Sequence, residues 1–223
     1  SAGSAGLWEH IRPVLWPLII GFGWFLKLNI VLFARILESF LFLASVGLVY
    51  ALGVQWFSRR AGVVASILWA FSSIVFYLGF HEYTELPAIA FVLAALFAFA
   101  RQHWFLSGLL AGIAFLTKFP AGVFIVVIGI AVISQKKLKP LIPLGLGFAI
   151  PAAAFLIFNQ VVYGEMLGPL VAARESILSV LGCNVLRFNP WWRYFSWIFF
   201  DNWLNALALL GLGAVVLSWK RQY

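Results

Sequence analysis

A chain of 223 residues that is 64% hydrophobic and only 10% charged, with a mean hydropathy of +1.03, has too few polar side chains to cover a water-facing surface. That excludes an ordinary soluble domain and makes lipid the solvent for most of the exterior. A formal net charge of +8 does not mark a nucleic-acid binder, because the 15 basic residues fall in small clusters between apolar runs. The lone Cys183 excludes an internal disulfide and a cysteine-based metal cage. The 11 Trp and 23 Phe suit a membrane and its interfaces.

The chain opens on Ser1 to Gly6 without a methionine, and its only Met is Met166. No basic region and cleavage site precede an apolar core, so no signal peptide is read here. The expectation is a start inside a longer protein, or a linker-like 1–6 joined to a fragment. Next comes the apolar segment Pro13 to Leu28, which carries Pro13, Pro17, Gly21 and Gly23 and is a poor long helix. It is expected as an external juxtamembrane segment over 12–30, lying at the interface with its Trp residues at headgroup level. The alternative is a kinked additional span.

Seven stretches then approach the length that crosses hydrocarbon as helix, where every backbone polar group must be bonded internally. They run over 33–57, 62–80, 86–101, 104–118, 119–134, 140–162 and 194–218, with an external loop over 163–193. The fold expected is an all-α integral membrane protein, a single polytopic domain of about seven spans plus the juxtamembrane helix. Two short spans meet at Lys118-Phe119-Pro120 as a tight hairpin.

Charge orients the set. Arg59 and Arg60, Arg101, Lys136, Lys137 and Lys139, and Lys220 and Arg221 share one side if the spans alternate, and that side is read as cytoplasmic. Glu9, Glu82, Glu85, Glu165, Glu175 and Asp201 fall on the other. Gly108 and Gly112, the Gly145/Gly147 pair and the Gly211/Gly213 pair read as close-packing sites between helices. No internal repeat is visible, which weighs against an inverted-repeat transporter.

The uncommon residues gather on the external face. His81-Glu82-Tyr83-Thr84-Glu85-Leu86-Pro87 places two carboxylates, an imidazole and a phenol in a loop too short to be a solvated domain. Proline is tolerated in a first helical turn, and an acid there is favoured by the helix dipole, so plain capping explains Glu85 as well as chemistry does. Lys118 lies away from the cytoplasmic clusters between two apolar helices; such a lysine either faces a cavity or snorkels to the headgroups. Facing a cavity, it suits the phosphate of a lipid-linked substrate. Arg12, Arg35, Arg174, Arg187 and Arg193 add external cations, with Arg193 beside the Trp191-Trp192 pair, as interfacial anchors or as an anion site. No metal motif, Walker loop, GxSxG elbow or Ser/His/Asp constellation is present.

Taken in order, Arg12-Pro13, the juxtamembrane helix, Arg35 and a span, Ser58-Arg59-Arg60-Ala61-Gly62, Tyr83-Thr84-Glu85-Leu86-Pro87 and Phe115-Leu116-Thr117-Lys118-Phe119-Pro120 resemble the GT-C glycosyltransferases. The similarity is to the branch of dolichyl-phosphate-mannose protein mannosyltransferases and aminoarabinose transferases, and is strongest over 12–125. The resemblance implies an inverting enzyme that passes a sugar from polyprenyl or dolichyl phosphate to a protein, lipid or glycan acceptor on the external face. It implies Glu85, with Glu82, as the catalytic carboxylates near the acceptor and reacting sugar, and Arg12 and Lys118 at the donor phosphate; Arg193 is read beside these as a further phosphate cation, and His81 and Tyr83 as acceptor or sugar contacts. It requires no nucleotide cofactor, because the lipid phosphate is itself the leaving group; no metal ligands are assigned, and a divalent cation stays open. Family members begin with a helix and an acidic first external loop that this chain does not match, and Glu9 does not fit that acidic motif. A multi-pass protein of a prokaryotic plasma membrane is expected. The competing readings are a non-catalytic fragment or assembly partner of the same fold, and a lipid or solute transporter, for which polar residues would line the spans.

Overall fold

The computed structural model describes residues 13–79, 84–136 and 138–182. Arg12, His81, Glu82, Tyr83, Arg193, the Gly211/Gly213 pair and the last expected span, 194–218, lie outside the described residues.

Every described element is helical: α1 Leu15–Phe25, α2 Ile30–Trp56, α3 Arg59–Ala70, α4 Ser73–Gly79, α5 Glu85–Ala100, α6 Trp104–Thr117, a 3-10 turn Phe119–Gly122, α7 Val123–Ser134, α8 Leu141–Tyr163 and α9 Gly168–Gly182. Local chemistry sets several ends. The Asn29 side chain accepts from Leu32 N at 3.1 Å, and Ser58 accepts from Ala61 N at 3.2 Å, each capping orphan donors at the start of α2 and α3. Gly164 closes α8 in the left-handed region, φ 75°, where glycine carries no Cβ penalty. At Lys118 the backbone is extended, and Pro120 enters the next turn where its missing N–H costs nothing.

Among the described residues two helices, Ile30–Trp56 and Leu141–Tyr163, are long and apolar enough to cross a membrane by length and composition. The 16 residues of α5 and the 14 of α6 make roughly 24 and 21 Å of helix, short of the ~30 Å of a hydrocarbon core. Large apolar side chains point outward along both long helices, among them Ile36, Phe40 and Leu43 on α2 and Leu146, Ile150 and Ile157 on α8. Such a surface is what lipid, and not water, would cover.

Two expected elements differ. The stretch 62–80 is broken into α3 and α4 at Phe71-Ser72, because tandem Ser72 and Ser73 compete for the backbone and favour a helix start. The stretch expected as loop from 163 is helical over Gly168–Gly182.

Close approaches fix the helix directions. A Cβ on Gly108 would lie 1.9 Å from the Leu144 carbonyl oxygen, and one on Gly147 would lie 2.1 Å from that of Phe105. Gly112 meets Phe148 and Pro151, so α6 and α8 run parallel. Ser107 Oγ donates to the Ala95 carbonyl at 2.9 Å, tying α5 to α6 antiparallel. Ala95, Ala111, Ile128, Val132 and Leu144 form a dry core among these helices. As a result the start of α5 and the ends of α6 and α8 share one end of the bundle, with Arg101 at the other end of α5.

The glycines separate into two kinds. Among the described residues nothing lies within 4 Å of a Cβ on Gly145, so its expected packing role finds no partner among them. Gly108→Val is expected to destabilise the protein by about 3 kcal/mol or more, since backbone on both sides cannot yield. Gly145→Ala is expected to be neutral or slightly stabilising. Thermal unfolding of the two variants in detergent, followed by size exclusion, reads the contrast.

The chain divides into two compact units, Ser1–Arg174 and Glu175–Tyr223. The described site residues belong to the first. Of the second, only 175–182 are described, as helix.

Candidate functional site: a charge pair over an apolar cavity

Glu85 opens α5, and Pro87 follows it in the first turn, buried. Thr84 before it makes no side-chain cap, and Glu85 is the acid in the first turn, where the helix dipole favours a negative charge. Lys118 sits where α6 stops. Its N–H still bonds the Ala114 carbonyl at 2.9 Å, but its extended backbone turns the chain out of the helix. Thr117 beside it is spent locally, donating to the Ile113 carbonyl at 2.9 Å.

The α5–α6 hairpin brings these two ends together, and Lys118 Nζ donates to Glu85 Oε1 in an ion pair. The side chains remain 35% and 32% exposed for Lys118 and Glu85, so both stay open to the space beneath them. An exposed ion pair contributes little to stability, which makes the placement of both charges at one opening the more informative fact.

That space is a cavity of about 400 Å³. Ala88, Ile89, Val92, Leu93 and Leu96 line it from α5. Trp69 of α3, Ala121 and Phe124 complete it, and among the described residues no charged side chain beyond Glu85 and Lys118 touches it. A second cavity of about 460 Å³ lies among His103, Trp104, Phe105, Leu106 and Pro143, at the far end of α6 from Lys118. It is larger, but among the described residues no acid or permanent cation lines it. Among the described residues no three His, Cys, Asp or Glu side chains gather as metal ligands.

Of the expected site residues, the structure brings Glu85 and Lys118 together; Glu82, Arg12, Arg193, His81 and Tyr83 are outside the described residues. Three further residues escape a motif reading. Trp69 lines the cavity. Glu38 is completely buried on α2, and an acid inside an apolar run is a signal the sequence does carry. Asn159, also completely buried, donates from Nδ2 to the Met166 carbonyl at 2.9 Å and so ties the end of α8 to the turn after it. A lone amide near the end of an apolar helix is likewise visible in the sequence.

A family model described as dolichyl-phosphate-mannose-protein mannosyltransferase matches residues 12–163, about two thirds of the chain. No curated protein and no solved structure matches it.

Proposed function

The chain belongs to the dolichyl-phosphate-mannose-protein mannosyltransferase family, and from that premise we propose that the Glu85–Lys118 pair is the working centre of a glycosyl transfer on the external membrane face. The family's activity is that of a membrane glycosyltransferase drawing on a dolichyl-phosphate sugar. The observation that carries the assignment of residues is the meeting of a carboxylate and an ammonium at the mouth of an otherwise apolar cavity.

In this mechanism the acceptor hydroxyl or amine attacks the anomeric carbon of the donor sugar, from the side opposite the lipid phosphate. Glu85, with Glu82 of the same segment, takes the acceptor's proton as the new bond forms. The bond between the anomeric carbon and the phosphate oxygen breaks, and its electron pair stays on the lipid phosphate. Lys118 balances the growing charge, with Arg12 as a proposed further cation. The existing ion pair lends itself to this sequence. Lys118 is held at the opening by Glu85 Oε1 and exchanges that oxygen for a phosphate oxygen when the donor arrives.

The external placement of this end is supported by Arg101 lying at the opposite end of α5, with Lys136 and Lys139 between α7 and α8. Seven spans remain the proposed topology, with α2 and α8 as the helices of full length and the shorter α5, α6 and α7 beside a site set below the surface. A prokaryotic plasma membrane is the proposed location.

The test is a choice between donors. The complete protein in proteoliposomes, given labelled mannose either on dolichyl phosphate or on a nucleotide, is expected to transfer only from the lipid. The product is expected to carry the inverted anomeric configuration. Transfer from the nucleotide sugar alone contradicts the proposal.

A further inference from the structure

The cavity under the charge pair has a shape and a chemistry that the transfer reaction alone does not use. Glu85, Ala88, Ile89, Val92, Leu93 and Leu96 recur at three- and four-residue spacing and form one stripe of α5. From Glu85 to Leu96 that stripe runs about 16 Å along the helix axis. One end is charged and the rest apolar. A sugar bound along this wall would leave its hydroxyls without partners, and each unpaired polar group in such a place costs free energy. A solute path would need polar groups along its length. An amphiphile with an anionic head and a hydrocarbon chain meets both halves of the site.

Trp69 completes the argument. Its Nε1 donates to Ser45 Oγ of α2 at 2.9 Å, and Ser45 Oγ in turn donates to the Phe42 carbonyl at 2.7 Å. Ser45 is completely buried, and its hydroxyl is used both as acceptor and as donor. The polar edge of the indole is thereby tied to α2, leaving its hydrocarbon surface to line the cavity. Close packing at Gly53, where a Cβ would lie 2.5 Å from Gly62 Cα, holds α2 and α3 in the register this bond needs.

We infer that this cavity seats the isoprene units next to the donor's phosphate, and that Trp69, held by Ser45, is a specificity-determining residue for the lipid chain. The inference rests on the proposed function, since it takes the phosphate of the same donor to be at Lys118. The occupant is the donor's own prenyl chain; an acyl chain of the surrounding bilayer is the competing occupant that the test separates.

The experiment compares two donors on the complete protein in nanodiscs: dolichyl-phosphate mannose and the short-chain citronellyl-phosphate mannose. Leu93→Trp fills the stripe well below the charge pair. It is expected to raise KM for the long-chain donor about tenfold or more, with kcat retained and the short-chain donor little affected, because chain contacts made before and during reaction act on binding. Ser45→Ala unties Trp69 without touching the cavity and is expected to weaken the preference for the long chain, while Ser45→Thr restores it. Unfolding temperatures of all variants are recorded alongside. Equal effects on both donors, or none on either, overturn the inference, as expected if a bilayer acyl chain fills the space, while turnover of both donors by the unaltered protein leaves the proposed function standing. Failure of the unaltered protein to use any lipid-phosphate donor overturns the function first and the inference with it.

Discussion

Glu85→Gln in the complete protein is expected to lower kcat for sugar transfer from dolichyl phosphate by about 10²- to 10⁴-fold, the range over which general-base catalysis contributes. Glutamine keeps the size of the side chain and an oxygen able to accept from Lys118, so the α5–α6 hairpin is retained. Loss of the ion pair itself accounts for only about 1 kcal/mol at most at a site a third exposed. A defect of this size therefore belongs to the chemistry and not to folding. KM for the donor is expected to stay near its starting value, because the proton-accepting role is exerted in the transition state. Steady-state kinetics with dolichyl-phosphate mannose, at a fixed acceptor concentration, give both numbers.

Lys118→Met carries the second large effect. Its side chain preserves most of the hydrocarbon stem and removes only the cation. The departing phosphate then develops charge with one fewer fixed counter-charge, in a cavity whose described lining offers no other. The loss in kcat/KM is expected at about 10²- to 10³-fold, as when one preorganised group is removed from a developing oxyanion. KM is expected to rise as well, because the ground-state donor already carries a phosphate charge. Lys118→Arg is expected to recover part of the rate, since charge returns with different geometry. The same kinetics, repeated with free dolichyl phosphate as competing inhibitor, separate the binding defect from the rate defect.

Much of the scaffold around these two residues is readable from the chain itself, for definite reasons. The runs 86–101 and 104–118 correspond to α5 and α6 within a residue, because polar Arg101-Gln102-His103 interrupts one side and Lys118 with Pro120 the other. Once the hairpin is tight, register follows: Ser107 bonds Ala95, and stepping ten residues back and eleven forward reaches Glu85 and Lys118. Both charges stand out against apolar neighbours, and only their contact needed the structure. The break at Phe71-Ser72 was hidden because apolar residues flank it without proline or glycine. Trp69 was hidden for another reason. Its place in the cavity depends on how α2 and α3 pack at Gly53 and Gly62, a tertiary fact with no local signature. The helix at Gly168–Gly182 has mixed composition and no strong period, so a loop was the natural expectation.

The competing view of the site is that Glu85 and Lys118 are a structural ion pair and nothing more. Removing one partner of a purely structural pair leaves the other charge unmatched, a small cost at a site a third exposed, and removing both takes the mismatch away. The double variant Glu85→Gln/Lys118→Met separates the two views. Its kcat/KM for transfer from dolichyl-phosphate mannose should be measured on correctly folded, complete protein beside both single variants. A chemical role for each side chain predicts that the double variant stays at or below the poorer single variant, at least about 10²-fold under the unaltered protein. Recovery of the double variant to near the unaltered rate would contradict the assignment and return the pair to a purely structural role.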